Sequence, residues 1–352
     1  MGHRCPVSVP AHGAGTRLIC VRSSLELGMP PIRCARCGAE DARYHISFAR
    51  TSLCAACYVR YYERKLKATV LKYGMLKVMR RPLVALSGGK DSTSALVGLK
   101  SVFPDLEVTA LYIDLGIPGY SEESERVVRK VTDELGVELI VHRLKNDGRT
   151  VPELARGRFK RKPCAICGTV KRYVMNKIAI ETGHDTVVTG HNLDDTVEVL
   201  FELYRRGLLE EAVRLRPVLL GDGVRLTNRV KPLFEMTDEE DLYYVDAKGI
   251  EVVESWCPLV RGAKTVSRKV LIHEIESKIP GFRHTLLKAH VKRFLPVLER
   301  AISQPELKRC AVCGYPTTSD VCSYCRAMRP VTLKRDVGSS GAGASNGEEG
   351  LR

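Results

Sequence analysis

The sequence predicts an α/β protein: a doubly wound, mostly parallel sheet flanked by two small zinc ribbons. Three observations carry this reading. Apolar runs of strand length alternate with amphipathic helical stretches from Leu83 onward, which is how a parallel sheet with covering helices reads. A loop of small, hydroxyl and charged residues, Ser87-Gly88-Gly89-Lys90-Asp91-Ser92, breaks the first strand-to-helix junction. Cys-x-x-Cys pairs stand two by two on either side of the alternating region.

Taken in chain order, Cys34/Cys37 and Cys54/Cys57 are separated by sixteen residues, 38 to 53, a four-thiolate spacing that closes a tetrahedron around zinc. Gly38 follows the first pair and suits a knuckle whose backbone N–H groups turn in toward sulfur. Leu83 to Leu86 reads as a buried strand, and the helix after the loop buries Ala95, Leu96, Val97 and Leu99. Glu107 to Asp114 is a second strand. The next helix has Val127, Val128, Val131 and Leu135 on one face, with Ser121 as its cap and Gly136 as its stop. "ELIVHRL" is a third strand. A helix opens at Cys167 and runs toward Gly183, followed by the strand "DTVVTGH" and a helix opening at "NLDDT". Cys310/Cys313 and Cys322/Cys325, separated by eight residues (314 to 321), form a tighter ribbon with Gly314 at its knuckle. The expected division is an extension without pattern (1–30), with Met29 as a candidate start, the first ribbon (31–62), the sheet domain (63–305), the second ribbon (306–330) and a disordered Gly/Ser-rich tail (331–352).

The formal net charge of +15 and a pI near 9.3 point to a polyanionic partner, since so many Lys and Arg repel one another until phosphates neutralise them. No apolar run approaches a membrane span, and no signal-peptide core is visible. A cytoplasmic protein is expected, with thirteen cysteines held as thiols and metal ligands rather than disulfides.

Ligands of a doubly wound sheet bind outside the carboxyl ends of its strands, and Ser87, Asp114 and Gly190-His191 all sit at such ends. The glycines of the first loop let backbone approach a ligand. Its N–H groups and the helix N-terminus point at an anion, and Lys90 adds a mobile positive charge. This predicts a phosphate cradle, although no Walker pattern is present. The cysteines outside the ribbons are Cys5, Cys20, Cys164, Cys167 and Cys257. Cys164, Cys167 and Cys257 make a set of three thiolates, with Cys257 carried by an expected strand-like run, Ile250 to Val253. Three thiolates leave a coordination vacancy. A persulfide-carrying pair resolved by Cys257, a third zinc, or buried inert thiols are the other readings.

"SGGKDS" followed by "TGHNLDD" resembles the PP-loop ATP pyrophosphatase superfamily, with its adenine-nucleotide alpha-hydrolase-like fold. "PCAICGTVKR", "TGHNLDDT" and the two ribbons resemble, more narrowly, the TtuA-type tRNA 2-thiouridine synthetases, relatives of the wobble-uridine thiolases. The resemblance spans about Cys34 to Arg326. It implies an enzyme that adenylates the C2 oxygen of a tRNA uridine, at position 54 of the T-loop, and replaces that oxygen with sulfur. ATP is expected at Ser87, Gly88, Gly89, Lys90, Asp91, Ser92, Gly190 and His191, with Ala85 and Ile113 offering backbone groups to adenine and Mg²⁺ neutralising phosphate. Cys164, Cys167 and Cys257 are expected to hold one 4Fe-4S cluster whose fourth iron binds sulfide. Asp195 matches the family's catalytic acid or base, while Asp194 reads as a helix cap. Lys171 matches a lysine near both ATP and cluster; without the resemblance it reads as a solvated helix lysine. Arg158, Lys160, Arg161, Lys162, Arg268, Lys269 and Lys292 are candidate tRNA contacts. A ubiquitin-like thiocarboxylated sulfur carrier and a homodimer are implied as partners. Wobble-uridine thiolation at position 34 and a non-catalytic zinc-ribbon RNA-binding protein are the alternatives.

Overall fold

The chain enters the fold through its first cysteine segment. The computed structural model describes residues 32–156, 163–260, 264–303 and 305–328. Tyr44–Ile46 (β1) and Thr51–Leu53 (β2) pair antiparallel, and Cys54 is the N-cap of Ala55–Lys72 (α1). Along α1 the residues Tyr58, Tyr62, Leu66 and Val70 recur at helical spacing and are fully buried, so the helix leaving the ribbon is also a wall of the main core. The expected domain boundary at residue 62 lies within this helix.

The sheet follows: Pro82–Leu86 (β3), Lys90–Val102 (α2), Thr109–Asp114 (β4), Tyr120–Leu135 (α3), Glu138–Arg143 (β5), Val151–Arg156 (α4), Pro163–Glu181 (α5), Thr186–Val188 (β6), Leu193–Arg205 (α6), Leu209–Ala212 (α7), Val218–Leu219 (β7), Asn228–Val230 (β8) and Asp238–Ala247 (α8). The strand order is β5-β4-β3-β6-β8-β7. Every neighbouring pair is parallel except the β7–β8 hairpin, as the alternating pattern predicts. Strand residues alternate between two cores: Val84, Leu86, Ala110, Tyr112 and Val188 face α1, α2, α3 and α8, while Leu83, Leu111, Ile113 and Val187 face α4 and α5. Burial on both faces is why these strands read as continuous apolar runs. The order reverses at β3, between β4 and β6, and such a switch point opens a crevice at the carboxyl edge.

Lys264–Lys278 (α9), Phe282–Ala289 (α10) and Leu295–Ala301 (α11) pack against α6 and α7. The second ribbon, Lys308–Arg309 (β9), Pro316–Thr317 (β10) and Ser323–Met328 (α12), docks on α5: the Tyr324 ring stacks on Tyr173 with centroids 3.7 Å apart and planes 8° apart.

Three local expectations change. The cap of α3 is Gly119, and the Ser121 hydroxyl instead accepts from Ile117 N at 3.1 Å. Helix α5 begins at Pro163, a residue suited to a first helical turn, so Cys164 and Cys167 both lie on it. Ile250 to Val253 is no strand, because its N–H groups are used elsewhere. Ile250 N closes on Val245 O at the end of α8, and Val253 N donates to Gly88 O at 2.8 Å.

Candidate active site at the carboxyl edge of the sheet

The cradle is built by the turn from β3 into α2. Gly88 adopts φ +79°, and a Cβ there would meet Val253 Cγ2 at 2.8 Å, so both conformation and space call for glycine. Ser92 Oγ accepts from Ser87 N and donates to Gly89 O, each at 3.1 Å, which turns the loop around the start of α2. Gly190 lies against that start: a Cβ would stand 2.6 Å from Ser92 N. A cavity of about 260 Å³ opens here. It is lined by Ala85, Ser87, Gly89, Asp91, Ser92, Ile113, Lys171, Gly190, His191 and Asp195, together with Tyr120, Met175 and Thr189. Gly88 and Lys90 are not among the lining residues; the Lys90 side chain turns toward Asp91 and Asp238.

That turn belongs to a charge network the sequence did not reveal. Lys90 Nζ lies 2.8 Å from Asp238 Oδ1 and also contacts Asp91. Lys269 Nζ lies 2.6 Å from Asp195 and 3.1 Å from Asp238 Oδ2. Asn192 caps α6 by accepting from Asp195 N at 3.1 Å, and its Nδ2 donates to Asp238 at 2.8 Å and Asp241 at 3.0 Å. Burial works against charge on Asp238, but Lys90 and Lys269 win and hold its carboxyl well below the usual range. Asp194 is not the cap. It is buried, accepts from Asp238 N at 2.8 Å and pairs with Arg283 at 2.6 Å, and burial pushes its carboxyl up against the pull of that guanidinium. Lys231, just past β8, is half-buried, and desolvation brings its ammonium down to about 8. A Thr-x-x-Glu capping box at Thr237 and Glu240 is the signal that marks where α8 begins. Nothing local shows that this helix delivers Asp238 to the cradle.

Beside this cavity lies another of about 280 Å³, lined by Cys164, Cys167, Cys257, Lys171, Ile117 and Leu259 among others. Lys171 lines both. Burial pushes the Cys167 thiol up, partly offset by Lys171, and Cys257 and Cys164 are near enough to raise it further. Among the described residues, the ligand groups whose atoms all lie within 4.8 Å of one another do not include this trio. The three thiols therefore surround a space rather than converge on one ion, which fits a multi-iron group held at its corners better than a third zinc.

The two four-cysteine groups do converge: within each, all sulfurs lie within 4.8 Å. Cys37 and Cys54 are 3.7 Å apart and Cys313 and Cys322 3.8 Å, close to the ~3.8 Å edge of a tetrahedron with metal–sulfur bonds of about 2.3 Å. Backbone N–H groups, that of Cys54 foremost, bring the Cys34 thiol down to about 6. Cys322 N donates to Cys310 Sγ at 3.2 Å. These donors favour thiolate, the form that binds metal.

Of the candidate tRNA contacts, Arg158, Lys160, Arg161 and Lys162 lie outside the described residues. Lys292 is exposed. Arg268 turns toward α6 and pairs with Glu198, and Lys269 points into the carboxylates described above. No described helix is long and apolar enough to cross a membrane.

A parallel sheet with a glycine cradle at its switch point and a second, thiol-lined cavity beside it defines a PP-loop protein, and the PP-loop domain model matches residues 60–255. The chain is 36% identical to the tRNA-5-methyluridine(54) 2-sulfurtransferase of Pyrococcus horikoshii over 84% of its own length and 93% of that protein's. It is 35% identical to the enzyme of that name from Thermus thermophilus, over 83% and 90%. The chain belongs to this family of PP-loop proteins. Its fold matches that of the U34-tRNA thiolase NcsA from Methanococcus maripaludis, solved with its 4Fe-4S cluster, with a TM-score of 0.71 at 23% identity over 86% of this chain and 97% of that one.

Proposed function

We propose that the protein is an ATP-dependent tRNA uridine 2-sulfurtransferase acting at position 54. The observation that carries this is Lys171, one side chain lining both the nucleotide cavity and the three-thiol cavity. Activation and sulfur delivery must meet at one atom of substrate, and here their two chambers share a wall.

The uracil C2 oxygen is a poor leaving group. In the proposed reaction it attacks the α-phosphorus of ATP as Asp195 takes the N3 proton, and pyrophosphate departs into the cradle of Gly89 and Ser92 N–H groups at the start of α2, beside the Ser87 hydroxyl. Ala85 of β3 and Ile113 of β4, which line the same cavity, would offer backbone groups to adenine. Sulfide then adds at C2, AMP leaves with the oxygen, and the C2–S bond remains. Lys171 compensates negative charge on AMP and on the incoming sulfur. Mg²⁺ would be held by phosphate and water, because the carboxylates beside the cradle are already paired with Lys90, Lys269 and Arg283. When bound by Cys164, Cys167 and Cys257, a 4Fe-4S cluster would supply an iron without a protein ligand, able to carry sulfide. Zinc in the two closed cysteine groups is structural, since four thiolates leave no open position. A thiocarboxylated ubiquitin-like carrier as sulfur source and a homodimer as working form complete the proposal on the strength of family resemblance.

The test is anaerobic incubation of metal-loaded protein with tRNA, ATP and sulfide, followed by mass spectrometry of position-resolved tRNA fragments. Sulfur at position 54, with AMP and pyrophosphate formed only when tRNA is present, is the expected result. Sulfur at position 34 would overturn the site assignment, and absence of tRNA-dependent AMP would favour a binding protein.

A further inference from the structure

We infer that Lys269 is a positioning residue for Asp195, and this rests on the reading of Asp195 as the proton acceptor. Lys269 comes from α9, far from Asp195 in sequence, yet its Nζ stands 2.6 Å from the Asp195 carboxylate and 3.1 Å from Asp238 Oδ2. The other Asp238 oxygen, Oδ1, is 2.8 Å from Lys90 of the cradle and accepts from Asn192 Nδ2 at 2.8 Å. An unbroken series of alternating charges, Lys90, Asp238, Lys269 and Asp195, thus runs from the phosphate loop to the acid–base carboxylate. Asp195 is held at two points: its backbone N–H by the Asn192 cap at 3.1 Å, and its carboxylate by Lys269.

A short acidic side chain on the first turn of a helix can adopt several rotamers. The Lys269 ammonium selects one and ties it to a residue that also grips the loop where pyrophosphate leaves. Preorganisation of this kind matters because a base misplaced by about 1 Å can cost on the order of 100-fold in rate. Burial favours this role over a tRNA contact. The Lys269 side chain is only 25% exposed, and Asp195 and Asp238, overriding burial, raise its hold on the proton, so the ammonium is already committed to two carboxylates. A phosphate-binding lysine presents its tip to solvent and carries a salt-dependent contribution to affinity.

The experiment compares Lys269→Met and Lys269→Arg in the full-length, metal-loaded protein. It reads the single-turnover thiolation rate at saturating ATP and tRNA, the KM for ATP, and the tRNA Kd at several salt concentrations. A positioning role predicts a rate roughly 10- to 100-fold lower in Lys269→Met, with KM and Kd within about twofold of wild type, an unchanged salt slope, and substantial recovery in Lys269→Arg. A weakened Kd with a flatter salt slope and an intact saturated rate would make Lys269 an RNA contact and overturn the inference. So would an unchanged rate, or equal losses in both variants accompanied by a lower melting temperature. Asp195→Asn separates the two levels of the argument. Wild-type rates in that variant remove the role of Asp195 itself, whereas an inactive Asp195→Asn beside a fully active Lys269→Met removes only the inference about Lys269.

Discussion

Within each ribbon the four sulfurs come from one short segment and close to within 4.8 Å of one another. Cys164, Cys167 and Cys257 come instead from the first turn of α5 and from a loop that reaches the sheet by way of Gly88, and they ring a cavity. The same side chain thus serves two ends. Local spacing produces closure, which suits a metal that only holds chain together. Tertiary assembly produces a set left one ligand short, which suits a group that must keep a position free.

The largest expected effect tests that division directly. Cys257→Ser should reduce tRNA thiolation to background while leaving two zincs per chain by elemental analysis and ATP affinity unchanged. Loss of zinc in this variant would break the comparison, and thiolation by iron-free protein would replace the cluster reading with a persulfide one. Next in size is Cys322→Ser. It should lose one zinc and, because the ribbon docks on the helix carrying Cys164, Cys167 and Lys171, lower thiolation by about tenfold, the scale on which supporting contacts act on a metal site; ATP affinity should hold. Tyr324→Ala sharpens the same coupling without touching a ligand. It removes the stack on Tyr173 and the hydrogen bond to Asp147 at 2.9 Å. It should cost roughly 0.5–1.5 kcal/mol for the aromatic pair, measured by chemical denaturation, with both zincs retained.

The smallest effect concerns the segment that delivers Cys257. Hydrogen bonds from Arg126 and Lys130 hold the Glu251 carboxyl at about 2, below its ordinary 4.5. A carboxyl depressed on folding contributes stability above its unfolded value, and that contribution is lost as pH falls from about 4.5 through about 2. Glu251→Gln should therefore flatten the stability curve in that window, lowering stability slightly at neutral pH and converging with the parent protein near pH 2; the loss is small because the pairs are well exposed.

Much of the site was legible residue by residue. The cradle announces itself because a hydroxyl residue, two glycines and a lysine in that order suit few other purposes, and the cavity beside it gathers Ala85, Ile113, Gly190, His191 and Asp195. Lys171 could not be told from a solvated helix lysine by pattern, and its place between two cavities is a finding of the structure. Lys269 read as a candidate tRNA contact, since nothing beside it in sequence shows that Asp195 and Asp238 would fold against it. Ile250 to Val253 looked like a strand because its side chains are apolar, whereas its hydrogen-bond partners, Val245 and Gly88, decided otherwise.

By itself, the sequence determined what depends on near neighbours: the alternation of strands and helices, the cysteine closures and the glycine loop. Each of these is set by side-chain period, ligand spacing or backbone freedom over a few residues. Only the tertiary structure decided which carboxylate each buried cation would meet and where the third thiol would stand. Those contacts join segments distant in the chain, and the charge of an isolated lysine or aspartate does not specify its partner until packing has removed the competing water.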